Sequence, residues 1–290
     1  MSAPFVPHTE DEIAAMLDFL GLTSLDELFE SVPAAIRLAG GLDLACHASE
    51  PDVADRLADL AAANRPIGRS LVCFAGAGAY DHEVPAVVRS LASRSEFVTA
   101  YTPYQPEVAQ GVLQAIFEYQ SMISRLSGME ITNGSLYDGA ASLVEAVNLA
   151  VAATSDHRVL CSDGVNPRWR EGLSTFAAGP RHEITRIPLR DGRTDWASAP
   201  DGSAGAVVVA LTNYLGALDD VAGARQLADS TGARLVVCYD PVASGILRTP
   251  GSLGADIAVG EGQALGMALS FGGPYLGLFS CRMSDVRRLP

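Results

Sequence analysis

Lysine is absent from the chain. All 20 basic residues are arginine, and 34 acidic residues leave a net charge of −14. Such a charge disfavours nucleic acid and anionic membranes as partners. With no lysine, no side chain carries a primary amine, so none can form an imine with a carbonyl compound. Cysteine is sparse: five residues, at 46, 73, 161, 238 and 281, odd in number and scattered. Neither a CxxC pair nor a Cys/His spacing points to zinc. Cys73, Cys161 and Cys238 lie in apolar, strand-like runs. The expectation is reduced, buried thiols in a cytoplasmic protein. No uncharged apolar run is long enough to span a bilayer. The opening MSAPFVPHTEDE lacks the charged-then-apolar pattern of a signal peptide.

What is present is enough apolar material for a sizeable core. At 290 residues and 48% hydrophobic content, one large domain or two smaller ones are allowed. The first part reads as helices. Thr9 to Leu20 has Thr9 as cap, Glu12 at the capping-box position and Gly21 as terminator. Ser24 to Glu30 repeats the device with Ser24 and Glu27, and Val32-Pro33 stops it. Glu50 to Ala63 is a further helix. These are amphipathic segments that need a surface to pack on. They suggest an N-terminal helical arm over 1–66 and an α/β domain over 67–290.

An apolar run, Leu71–Phe74, then leads into GAGAYDH. Gly76 and Gly78 invite a dinucleotide reading, but Asp81 stands where the third glycine belongs. A tight turn is the simpler use of the two glycines. Asp81 and His82 are readable as an acid–base or orienting pair, or as a structural one.

The stretch Ser95–Ala141 is the most informative. A polar, aromatic loop carries Tyr101, Tyr104, Gln105 and Glu107. Pro106 suits a first helical turn. Val108, Val112, Ile116, Tyr119, Ile123 and Leu126 then recur every three or four positions, predicting a helix over 106–126 with one buried stripe. Gly128 suits its C-terminal cap. A second polar turn, Asn133–Gly139, contains Tyr137 and opens a helix over 140–153, with Ser135 and Asp138 spaced as a capping box. Free N–H groups at that helix start favour an anion. Turn residues need no function, yet solvated loops seldom keep three tyrosines unless the rings pack or bind.

Beyond Ala153 strands and helices alternate. Strands are predicted over 157–162, 183–189, 204–211, 235–239, 255–260 and 276–281, with helices over 167–177 and 221–230 and a polar loop over 190–203. Continuous apolar strands separated by helices imply an α/β fold with a mostly parallel sheet covered on both faces. Such sheets bind ligands at the carboxyl ends of their strands. Asp240 stands at one such end, either as a ligand group or as a cap of the following turn.

Several runs together carry a resemblance: PAAIRL, GAGAYDH, TAYTPYQPE, QAIFEYQ, YDGA and GEGQ…SFGGP, in that order. The chain resembles, from Phe5 to its last residues, subunit 1 of the glycine-decarboxylating dehydrogenase, the N-terminal half of the P-protein. Glu83, where an aromatic is more usual, and Thr212-Asn213, where Pro-Asn is, depart from the pattern. The resemblance implies the fold-type I pyridoxal-phosphate architecture, aspartate aminotransferase-like, with a mostly parallel sheet and an N-terminal helical arm. It implies that Asp240 matches the aspartate that pairs with the pyridinium nitrogen, with Tyr137 and Asp138 as further cofactor-side residues, shared or vestigial. In the sister subunit a lysine lies nine positions before Gly-Gly-Pro; here that place is Gln263. No catalytic residue is then expected on this chain. Pyridoxal phosphate would be held covalently by a lysine-bearing P-protein subunit 2. Glycine would lose carbon dioxide there and pass its aminomethyl group to lipoyl H-protein, with Tyr101, Tyr104, Gln105 and Glu107 lining the glycine pocket. The family continues into a C-terminal small domain, so a chain ending at Pro290 is expected to lack it. The competing expectation is a catalytically inactive structural or regulatory relative that binds a lysine-bearing partner.

Overall fold

A computed structural model describes residues 7–38, 42–67, 71–76 and 78–290. The chain divides into two compact units, Met1–Cys73 and Phe74–Pro290.

The first unit is helical. α1 (Glu10–Leu20) begins with the expected capping box: Thr9 and Glu12 satisfy each other's backbone N–H, and Gly21 ends the helix in the left-handed region. The second expected box does not form. Leu25–Phe29 is a 3-10 turn without a side-chain cap on Ser24, because Glu27 accepts from the backbone N–H of Thr23 instead. α2 (Glu50–Ala62) is capped by Ser49. Leu71–Phe74 is not a strand: among the described residues it makes only an isolated bridge, Ile67 to Leu71. Extended apolar residues need a neighbouring strand, and these have none, so Cys73 is exposed rather than buried. Ala77, within the expected glycine turn, lies outside the described residues. Gly76 and Gly78 on either side both have positive φ, as a tight turn requires.

The second unit opens with short helices, α3 (Ala86–Ala92) and α4 (Ser95–Val98), followed by α5 (Gln110–Ser127). α5 starts four residues later than its pattern suggests. Val108 and Ala109 donate to Gln105 and Pro106 in a turn, and only from Gln110 does the helical ladder run. Its stripe is buried only toward the C-terminal end, at Ile123, with Tyr119 and Leu126 packed beside it. α5 meets the sheet mainly at the edge strand β1 (Ile131–Thr132) and the last strand beside it, and its upstream half stays largely uncovered among the described residues. α6 (Gly139–Thr154) is capped by Asp138 alone. Ser135 has a φ of 133° and cannot serve as the N-cap.

The alternation that follows is β2 (Arg158–Ser162), α7 (Pro167–Ala177), β3 (Glu183–Ile187), the hairpin β4 (Leu189–Arg190) and β5 (Arg193–Thr194), β6 (Ala206–Leu211), α8 (Val221–Thr231), β7 (Arg234–Tyr239), β8 (Ile257–Glu261) and β9 (Gly277–Cys281). Seven strands form one sheet in the order β1-β9-β8-β7-β6-β2-β3. β2, β3, β6, β7 and β8 are mutually parallel, and β9 runs antiparallel to both neighbours. All six residues of β6 are buried, as a strand covered on both faces must be. Alternate residues divide between two cores. Val236, Cys238 and Phe279 pack under α6 and α7, whereas Leu235, Val237 and Tyr239 pack under α8 and the end of α5. Each buried valine or leucine is worth about 1.5–3 kcal/mol, so these two layers fix the strand ends where the site lies.

Candidate functional site

The carboxyl ends of β6, β7 and β8 border a cleft of about 250 Å3. α7 contributes Trp169, and the segment after Gly76 contributes Tyr80 and His82.

At the end of β6 the chain turns at Asn213, which is buried. Its carbonyl oxygen accepts from the N–H groups of Leu215 and Ala217, both at 3.1 Å. Its amide donates to the Gly192 carbonyl at 2.8 Å and to Asp219 at 3.3 Å. Asp219, also buried, accepts from the N–H and hydroxyl of Thr194 at 2.9 and 2.8 Å. Thr194 in turn meets Ser162 Oγ at 2.6 Å. One buried polar network thus ties the end of β2, the β4–β5 hairpin and the loop after β6. Sequence reasoning missed it, since its members are spread over 162–219 and only Asn213 was singled out, within the Thr212-Asn213 departure from the family pattern.

At the end of β7, Asp240 reaches the cleft while its Oδ1 accepts from the N–H of Val242 at 2.8 Å. Asp240 thus caps the following turn and borders the cleft. At the end of β8, Glu261 accepts three backbone N–H groups, from Gly139 at 2.9 Å and from Gln263 and Leu276 at 3.0 Å each. Burial pushes its pKa up against the pull of those donors, and Asp138 nearby adds to the rise. Gln263 is 4% exposed, and its amide donates to the Met267 carbonyl. Trp169 lies over Gly139: a Cβ there would stand 2.2 Å from Trp169 Cζ2.

Of the remaining expected residues, only His82 borders the cleft. His82 does not pair with Asp81; its Nδ1 donates to the Tyr80 carbonyl at 2.9 Å. Tyr101 and Tyr104 are 91% and 78% exposed and, with Gln105 and Glu107, stay outside this cleft. Glu107 borders a separate open depression beside Gln110 and Phe117. Tyr137 is exposed as well, while Asp138 spends Oδ1 on the N–H of Ala141 at 2.7 Å. Of the first N–H groups of α6, those of Gly139 and Ala141 are thus taken by carboxylates.

A profile of the glycine cleavage system P-protein family matches residues 3–290. Among curated relatives, the probable glycine dehydrogenase (decarboxylating) subunit 1 of Desulforamulus reducens is 45% identical over 289 residues, and that of Carboxydothermus hydrogenoformans 46%. Each alignment covers 99% of this chain and 65% of the relative, so the chain spans just under two thirds of their length. The crystal structure of an inhibitor-bound glycine decarboxylase (P-protein) superposes with a TM-score of 0.86 at 45% identity, covering 99% of this chain and 65% of that one. Sphingosine-1-phosphate lyase of Burkholderia pseudomallei K96243 superposes at 0.61 and 13% identity over 88% of this chain and 63% of its own, a likeness of fold alone. The architecture is the fold-type I pyridoxal-phosphate one, in which the cofactor sits at the carboxyl ends of the sheet strands. The residues of this cleft do not fit that cofactor. Among the described residues they include no lysine or arginine, they present the carboxyl group of Glu261 at the start of α6, and α6 gives the N–H groups of Gly139 and Ala141 to protein carboxylates.

Proposed function

The chain belongs to the glycine cleavage system P-protein family, and from that premise we propose that it is the lysine-free subunit of a two-subunit glycine-decarboxylating enzyme. One observation carries the reading: Gln263 occupies the buried wall at the carboxyl end of β8, and the chain has no lysine to replace it. An amide is not nucleophilic enough to bind an aldehyde cofactor covalently. Pyridoxal phosphate is therefore assigned to a lysine-bearing P-protein subunit 2, where it supplies the electron sink for decarboxylation. The aminomethyl group leaves on lipoyl H-protein.

This chain's part is to shape the shared site. Tyr101, Tyr104, Gln105 and Glu107 are assigned to the glycine side, because an exposed loop of phenol, amide and carboxyl groups can position a small zwitterion once a second surface closes over it. Asp240, Tyr137 and Asp138 are retained as shared or vestigial elements of the cofactor side.

The test is reconstitution. Alone, the chain should show no glycine–bicarbonate exchange, and borohydride treatment with pyridoxal phosphate should fix no adduct at an internal residue. Exchange should appear when lysine-bearing subunit 2 and lipoyl H-protein are added. Tyr104→Phe should weaken it while the complex stays intact by gel filtration. Glycine-dependent carbon dioxide release by the pure chain would overturn the two-subunit reading.

A further inference from the structure

We infer that Glu261 serves as a built-in anion at the start of α6, closing this chain's own cleft to phosphate-bearing ligands. A helix N-terminus with free N–H groups attracts anions through those donors and through the aligned peptide dipoles. Here α6 is 16 residues long, and its first N–H, that of Gly139, donates to Glu261 Oε2 at 2.9 Å. The other oxygen of the same carboxyl group accepts from Gln263 and Leu276 at 3.0 Å. One side chain thus gathers donors from α6, from the turn after β8 and from the residue just before β9, as a bound oxyanion would. Glu261 comes to this place from a residue 122 positions away in sequence, so local capping does not account for it.

Three surroundings support the assignment. Asp138 already holds the N–H of Ala141. Trp169 packs against the α-carbon of Gly139, leaving no room for a side chain there. Among the described residues the cleft is lined by no lysine or arginine to offset the charge of a phosphate beside Asp240 and Glu261. A phosphate entering here would have to displace a carboxyl group that makes three hydrogen bonds, with no cation in return. The cost of burial, visible as the raised pKa of Glu261, is accepted where those donors need a partner. The purpose assigned to this device rests on the proposed lysine-free role; the binding chemistry does not.

The experiment titrates the full chain with inorganic phosphate and with 4-deoxypyridoxine 5′-phosphate, which has no aldehyde and forms no adduct. Calorimetry reads affinity, and the Gly139 amide resonance reports occupation of the α6 start. Wild type should show no shift at Gly139. Glu261→Ala, and more weakly the size-matched Glu261→Gln, should bind the analogue at least about tenfold more tightly than wild type, with the Gly139 resonance moving. Should Glu261→Ala fail to fold, Glu261→Gln and the wild-type titration decide. Wild type that binds the analogue as tightly as the variants, or folded variants that remain silent, would overturn the inference. Exchange activity with lysine-bearing subunit 2 is measured separately, so failure of the proposed function is distinguishable from failure here.

Discussion

α1 and α6 begin in the same way and are buried differently. Each has a carboxylate or hydroxyl cap on its first turn, Thr9 with Glu12 in α1 and Asp138 in α6. α6 buries nine of its sixteen residues over the sheet. α1 buries none, and Met16, Phe19 and Leu20 are exposed. α2 repeats this, with Val53, Leu57 and Leu60 exposed. Caps and periodicity specify a helix and its apolar face; they do not specify what covers that face. Helices draw most of their stability from packing, and short isolated ones are marginal. The sheet layers should therefore carry the stability of this chain, while α1 and α2 should respond locally.

The largest effect should come from Phe279, which is fully buried in the layer under α6. Phe279→Ala should cost roughly 3–5 kcal/mol in urea unfolding, through lost burial and the cavity left behind. Phe19→Ala should stay within about 0.5 kcal/mol in the chain alone. Equal losses for the two would break the comparison. A smaller effect is expected at Asp219, which holds the loop after β6 without belonging to either apolar layer. Asp219→Ala leaves the N–H and hydroxyl of Thr194 without their carboxylate acceptor. The cost should be about 1–3 kcal/mol, again read by urea unfolding. A neutral result would show that the cleft rim is not tied to the sheet as the hydrogen bonds indicate.

Those two sites also mark the limits of reading this chain from its residues. β6 and β7 were legible because parallel, doubly covered strands leave continuous apolar runs. α7 was legible over its full length because Asn166 and Pro167 punctuate its start. β1 was not: two residues are too few to show a period. Leu71–Phe74 misled because a strand-like run needs a neighbour as well as a pattern. Gln263 stood out through the missing lysine and the motif around it. The roles of Asp219 and Glu261 did not, since each depends on donors far away in the chain. Ser135 lost the cap to Asp138 through a backbone angle that spacing cannot reveal.

The smallest effect should be confined to α1, and it sharpens the comparison most directly. The Glu12 carboxylate accepts from the N–H of Thr9 at 2.7 Å and from its hydroxyl at 3.1 Å. These bonds hold the Glu12 pKa below its ordinary value of 4.5, the backbone bond contributing most. A carboxylate whose folded pKa is lowered gives stability that is present above the unfolded pKa and lost as pH falls through the folded one. Acid below about 4.5 should therefore fray the first turn of α1. Amide exchange in residues 10–13, corrected for the intrinsic pH dependence, should quicken there, while β6 and β7 keep their protection. Thr9→Ala removes the reciprocal bond to the N–H of Glu12. It should quicken exchange in the same turn already at neutral pH, by several-fold, as expected for a lost cap worth about 1 kcal/mol. It should also flatten the acid response, because the Thr9 hydroxyl no longer helps to hold the carboxylate ionised. Faster exchange across the sheet strands of this variant would count against two separately stabilised regions. So would a fall in urea midpoint comparable to that of Asp219→Ala, since it would mean that the cap of α1 supports the sheet.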